Sequence, residues 1–151
     1  MTMTRFLMPE DAIEWQRMRN ALWSDVPAEE LASEMKGWLE GDGCAVIVAE
    51  RQTGGLCGFL ELAIRPCAVN GELGRFGYVE GWYVDSDVRQ QGIGRSLVRA
   101  AERWLLARGV DEIHSDAVIE NRVSQSSHRA IGFVEVDRLV HFRKKIQNTD
   151  K

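Results

Sequence analysis

No run of apolar residues in this chain approaches the roughly 18 needed for a helix to cross a bilayer. Its three cysteines, Cys44, Cys57 and Cys67, include no CxxC pair. That spacing excludes a zinc site of the usual kind and a disulfide-framed secreted module. Positive charge is also short, with 19 Lys and Arg against 23 Asp and Glu and a formal net charge of −4. A nucleic-acid binder would carry a basic stripe, and none is present. A mildly acidic protein instead concentrates cationic partners near its surface. The stretch from Met1 to Pro9 is too short in apolar residues for a signal h-region, so the chain is expected in the cytoplasm with reduced thiols.

What is present suits a folded chain. An apolar share of 44% with 28% charged residues argues against disorder, and 151 residues fit one domain, 1–151. Five tryptophans are many for this length and suit packing, a pocket or an interface.

Residues 3–8 read as a short strand stopped by Pro9, and Pro9–Leu22 as a helix with Ile13, Trp15, Met18 and Leu22 at helical spacing. A second helix is expected over Ala28–Glu40. The run Cys44–Glu50 reads as a buried strand, Thr53-Gly54-Gly55 as a hairpin turn, and Leu56–Ile64 as the next strand. Arg65–Gly77, polar and glycine-rich, reads as a surface loop. Tyr78–Val84 is strand-like, with Gly81 as a candidate bulge. The strongest amphipathic pattern, Gly92–Arg108, predicts a helix, followed by a short strand at Glu112–Ser115 and a helix over Asn121–Ile131. Phe133–Val136 and Leu139–Ile146 are expected as two last strands, and residues 148–151 as a tail. With no repeats or linkers, this order predicts one α/β (α+β) domain around a mixed sheet.

The most informative stretch is Val84-Asp85-Ser86-Asp87-Val88-Arg89-Gln90-Gln91-Gly92-Ile93-Gly94-Arg95. It joins a strand to a strong helix. Two glycines let main chain approach an anion, and the first helical turn aims free N–H groups at it. Arg89 and Arg95 can add charge-assisted contacts to phosphate. A dinucleotide fingerprint fails because Leu97 stands at its third glycine position, and the Gly-Lys-Ser/Thr of a P-loop is absent. In isolation, R-x-x-G-x-G also describes a plain helix start with surface arginines.

With its context, this segment resembles the acetyl-CoA pyrophosphate loop of the GCN5-related N-acetyltransferase (GNAT) superfamily. The downstream Asn121-x-x-Ser124-x-x-x-His128-x-x-x-Gly132-Phe133 resembles that superfamily's N-x-x-A-x-x-x-Y-x-x-x-G-F segment. Within it, the chain looks like the aminoglycoside 6′-N-acetyltransferases. The similarity lies in Arg19-Asn20-Ala21-Leu22-Trp23, Val69-Asn70-Gly71, Val79-Glu80-Gly81-Trp82-Tyr83-Val84, Ser115-Asp116 and Phe142-Arg143-Lys144. The resemblance implies a GNAT fold, with a central mixed and mostly antiparallel sheet flanked by helices. It also implies acetyl-CoA as cosubstrate, direct acetyl transfer in a ternary complex, a homodimer, and no metal.

It further implies roles for residues. Gln90, Gln91, Gly92, Ile93, Gly94 and Arg95, with Arg89, would hold the pyrophosphate. Trp82, Tyr83 and Val84 would pair with the pantetheine arm and offer an N–H to the thioester oxygen. Asn121 would be a further CoA contact. Glu80, as base, and Asp116, as orienting anion, would receive the reacting amine. Trp23 would flank the drug, although a core tryptophan is an equal reading. Glu135 and Asp137 are candidates for further negative charge across a dimer. His128 stands where many members have tyrosine and would protonate the leaving thiolate, or else hold structure near CoA. His114 and His141 read as structural. Ala68 replaces an aromatic frequent in this group. Two rival readings remain, an acetyltransferase of another amine and a non-catalytic CoA-binding regulator.

Overall fold

The computed structural model describes residues 2–148; residues 149–151 of the expected tail, and Met1, lie outside them. Five strands form one sheet in the order β1-β2-β3-β4-β5: β1 Thr4–Phe6, β2 Cys44–Glu50, β3 Leu56–Cys67, β4 Leu73–Val84 and β5 Ile113–His114. Neighbours are antiparallel except β4 and β5, which run parallel. The sheet is therefore mixed and mostly antiparallel, as expected. Four helices accompany it: α1 Ala12–Leu22, α2 Ala28–Glu40, α3 Ile93–Leu106 and α4 Arg122–Ala130.

Alternation along the strands divides the core into two layers. On one face, Ile47, Leu60, Leu62 and Val79 meet the apolar stripe of α3, made by Leu97, Val98, Ala101, Trp104 and Leu105. On the other, Val46, Val48 and Phe59 pack with Trp15, Met18 and Met35 from α1 and α2. Burying each such large side chain contributes about 1.5–3 kcal/mol. The Gly54-Gly55 turn is the one anticipated, both glycines taking positive φ, with Arg51 N–H bonded to the Gly55 carbonyl at 2.9 Å.

Three expectations are corrected. Arg65–Gly77 is not a loop: β3 runs on to Cys67 and β4 begins at Leu73, with Arg65 opposite Phe76. Only Ala68–Glu72 turns, closed by Ala68 N–H to the Glu72 carbonyl at 2.8 Å. The polar composition there reports an exposed hairpin end, whose main chain pairs regardless of side chain. The bulge lies one residue early, because Glu61 faces Gly81 while Leu62 faces Val79, which leaves Glu80 as the extra residue. The two C-terminal strands are absent: Phe133–Asn148 carries no strand, since β5 is only two residues long and offers little edge to pair with.

One buried polar cluster interrupts the second layer. Arg19 and Glu61 are each 1% exposed. Arg19 Nε stands 3.2 Å from Glu61 Oε1, near enough to pair but not aligned as a hydrogen bond. Trp15 Nε1 donates to the same oxygen at 3.0 Å, and Arg19 reaches Glu34 at 2.8 Å. Burial pushes the Glu61 carboxyl up to about 7, with Arg19 and Trp15 acting against that rise. The folded state thus holds this proton more tightly than the unfolded chain, where the group titrates near ~4. Stability from this group is full below that value and is lost as pH rises through about 7. Relative to Glu61→Gln, the wild type should lose thermal stability between about pH 5 and 8 in melts followed by circular dichroism. Glu61→Ala removes both acceptors and should cost about 3 kcal/mol at neutral pH.

Candidate active site

The loop from Val84 to Arg95 joins strand to helix as the sequence predicts. The chain leaves β4 at Val84, makes one 3₁₀ turn at Ser86–Val88, and enters α3 through Gly92, whose φ of 82° leads directly into the first helical turn. Gln90 also takes positive φ, 63°. The N–H groups of that turn have no carbonyl above them and form an anion-binding concavity. Arg89 Nε donates to the Val84 carbonyl at 2.8 Å, and Arg95 donates to the Ala130 carbonyl at 2.9 Å. Both guanidinium groups face main-chain oxygens, which leaves the backbone N–H groups as the donors this loop presents. Gln91 is exposed. Gly94 lies against the Trp82 indole, where a Cβ would stand 3.0 Å from the ring.

The root of the loop is tied down electrostatically. Asp85 is 6% exposed, accepts from Arg17 at 3.0 Å through both oxygens, and accepts from Arg51 at 2.9 Å. Burial alone would raise its pKa, but those two arginines hold it below the ordinary carboxylate range. The tie joins α1, the β2–β3 turn and the start of the loop.

Beside the loop, β4 has an open edge. It pairs with β5 only at Gly77 and Tyr78, so Val79 to Val84 carry no strand partner on that side among the described residues. An unpaired edge presents alternating N–H and C=O groups to an extended ligand. Trp82 Nε1 is buried and has no hydrogen-bond partner, a donor left unused in the same place. This donor set fits an amide-bearing arm such as pantetheine, with the pyrophosphate continuing to the loop.

On the α1 side of the sheet, the bulge re-aims Glu80. The Arg65 guanidinium donates to Glu80 Oε1 through Nε at 2.8 Å and through a second, shorter bond. It also stacks on Tyr78, 3.6 Å from the ring centroid. The Tyr78 hydroxyl in turn donates to Asp116. Burial first, and then that bond to Asp116, push the phenol up to about 12. Glu80 and Asp116 are thereby joined through Arg65 and Tyr78. Trp23 closes the same area: a Cβ on Gly81 would stand 2.8 Å from its ring. Only a glycine there admits the indole over the bulge. Arg19 stacks beneath it at 4.9 Å.

His128 sits on α4, edge-on to Trp82 and Phe133 at 5.1 and 5.2 Å between ring centroids. Its Nδ1 is 2.7 Å from the Ser124 carbonyl and must donate there, so Nε2 faces the Ser115 hydroxyl at 2.7 Å. Asn121 caps α4, its side-chain oxygen accepting from Ser124 N–H at 3.0 Å, an interaction worth about 1 kcal/mol. Glu135 and Asp137 are exposed. Glu135 pairs with Arg138 and Arg129, and Asp137 accepts from the Arg138 N–H. No contact brings either to Glu80 or Asp116 among the described residues. Ala68 is buried at the hairpin turn. His114 bonds Glu112 at 3.1 Å and stacks edge-on to Phe76.

Four residues of the site were not singled out from sequence: Arg65, Tyr78, Glu61 and Asp85. Glu61 had a signal, a lone carboxylate inside the apolar run Leu56–Ile64, which asks for a buried partner. Arg65 had one in strand parity, sharing a face with Glu61.

The acetyltransferase (GNAT) family profile matches residues 12–133. The aminoglycoside N(6')-acetyltransferase type 1 of Klebsiella aerogenes is 41% identical over 139 residues, covering 90% of this chain and 91% of the relative. That of Stenotrophomonas maltophilia is 37% identical over 142 residues, covering 92% and 90%. Among solved structures, AAC(6')-Iy in complex with the bisubstrate analogue CoA-S-monomethyl-acetylneamine superposes with a TM-score of 0.88 at 30% identity, covering 97% of this chain and 99% of that one. The 6'-N-acetyltransferase AAC(6')-Ih from Acinetobacter baumannii gives 0.88 at 28%, covering 97% and 100%. With matches of this reach over nearly its whole length, the chain belongs to the GNAT family of acetyltransferases, beside the aminoglycoside N(6')-acetyltransferases.

Proposed function

We propose that this protein acetylates the 6′ amine of aminoglycoside antibiotics with acetyl-CoA, in a ternary complex, and so confers resistance to them. The observation that carries this reading is the adjacency of an open β4 edge leading to an anion loop and a carboxylate cluster beside the same strand. One half suits a thioester-bearing phosphate ester, the other a polyammonium ring system. The relatives named above are aminoglycoside N(6')-acetyltransferases, and AAC(6')-Iy is seen with a CoA–neamine analogue.

Acetyl-CoA supplies the activated acyl group. The first turn of α3, with Arg89 to Arg95, is assigned to the pyrophosphate, and Trp82 to Val84 to the pantetheine arm. An N–H of β4 placed at the thioester oxygen would meet charge that develops during attack. Asn121 would add a CoA contact from the start of α4. Glu80 is assigned the amine proton, directly or through a water, and Asp116 the neighbouring ammonium or hydroxyl groups. Trp23 would wall the drug on the α1 side. With a proton on Nε2 as well as Nδ1, His128 would pass the Nε2 proton to the Ser115 hydroxyl, which would give its own proton to the departing thiolate and leave the imidazole neutral.

A homodimer is part of the proposal. The segment Phe133–Asn148 exposes Val134, Val136, Leu139, Val140, Phe142 and Ile146 to water, five of the six at even positions, as on one face of a strand. A second copy would cover that face and bring Glu135 or Asp137 toward the partner's site. The three free thiols suit a reducing cytoplasm. No helix among the described residues is long and apolar enough to cross a membrane.

CoA release followed with a thiol reagent should be rapid with kanamycin-type drugs bearing a 6′ amine. It should be absent with 6′-hydroxyl analogues and slow with spermidine. Fast turnover of spermidine alone would move the substrate to polyamines. Glu80→Gln should lower kcat by about two orders of magnitude. His128→Ala should lower kcat far more than it weakens acetyl-CoA binding, and an unchanged kcat would remove the acid role. Light scattering should give twice the chain mass for the wild type, and Phe142→Asp should shift it toward monomer.

A further inference from the structure

The carboxylates assigned to substrate ammonium groups are not bare, because a cation of the protein already lies on one of them. Arg65 donates twice to Glu80 Oε1 while its guanidinium carbon stands 3.6 Å from the centre of the Tyr78 ring. One group therefore covers an anionic oxygen and an aromatic face together. Those are the two surfaces an ammonium ion seeks. The covering is not locked, since the Arg65 side chain is 41% exposed and its guanidinium hydrogen bonds are to Glu80.

We propose that Arg65 is a resident counter-ion at a substrate-ammonium subsite formed by Glu80 and Tyr78, displaced when the amine binds. The proposal rests on the assignment of Glu80 to amine binding. In the free protein Arg65 offsets a crowd of negative charge, since Glu80 acts on Glu61 across the β3–β4 pair, and both Glu80 and Asp116 act on Tyr78. The incoming ammonium takes over that task. Arg65 already occupies both Glu80 Oε1 and the Tyr78 face, so an ammonium that takes those same two surfaces displaces it, and Arg65 acts as a built-in competitor. Departure of the guanidinium also uncovers the Tyr78 face, which can then receive an aminosugar ring while its hydroxyl keeps Asp116 oriented. Arg65 in this role sets affinity for the amine and leaves the acetyl-CoA half untouched.

Arg65→Met removes the charge and retains an unbranched stem over Tyr78. Arg65→Lys keeps a cation but loses the planar fork. Kanamycin is titrated calorimetrically into each CoA-loaded protein, and steady-state rates are measured on the same preparations. Arg65→Met should tighten Kd for kanamycin and lower its KM by roughly two- to fivefold, with affinity for acetyl-CoA unchanged. Arg65→Lys should stay near the wild type, and Arg65→Gln repeats the neutral case should the Met variant misfold. A merely structural arginine could not yield tighter binding when removed. If the wild type binds and acetylates kanamycin but neutral variants bind it equally or more weakly, Arg65 is a clamp and the competitor role is overturned, while the acetyltransferase reading stands. If neutral variants bind more tightly and no form turns kanamycin over, the subsite stands and the acetyltransferase reading falls. Absence of binding in every form overturns both.

Discussion

The separation of β4 from β5 is the constraint on which the rest of this molecule turns. Parallel pairing lasts for two residues, Gly77 and Tyr78, and the extra residue at Glu80 bends β4 at once beyond them. From there to Val84 the strand is bonded on one side only. A sheet interior that would otherwise be filled by a sixth row of main chain becomes a slot. The anion-binding turn opens at the far end of that slot because α3 begins directly after it, and the stripe from Leu97 to Leu105 fixes α3 under β2, β3 and β4. A ligand lying in the slot thus completes the sheet and reaches the helix terminus in one extended conformation.

The bulge also serves the opposite layer. It sets Glu80 and Gly81 in succession on the α1 side, one supplying charge and the other room for Trp23. The cost of collecting carboxylates there is met by interleaved cations and aromatics. Arg19 is held between Trp15, Trp23, Glu34 and Glu61, and Arg65 is laid over Tyr78. Buried acidic groups of this kind are tolerable only when paired. The alternation of sign across the α1 face is what lets a net-acidic cluster exist beside a well-packed core.

Local signals carried most of what could be read in advance. The helices, the Gly54-Gly55 turn and the loop from Val84 to Arg95 announce themselves through periodicity and glycine placement, which act over a few residues. Glu80 and Asp116 were reachable through resemblance, because their meeting depends on β4 and the segment after β5 lying side by side. Arg65 was missed: its parity with Glu61 was a signal only if β3 ran on to it, whereas composition assigned its stretch to a loop, and its partner lies 15 residues away across the hairpin. The C-terminal segment shows the converse. It alternates over much of its length, yet alternation specifies a face and not a neighbour, and within the described chain no neighbour is provided.

Asp85 gives the arrangement a further property. It is bonded at once to Arg17 of α1, to Arg51 of the β2–β3 turn, and by its own N–H to the Cys57 carbonyl of β3. The helix that leads into Trp23 and the turn that opens α3 are therefore one mechanical unit, not two independent halves. Selection for a new drug by shifting α1 would be transmitted to the grip on the donor. Adaptation of this scaffold is accordingly confined to exchanges at the far rim of the pocket, or to paired changes in which Asp85 and its arginines move together.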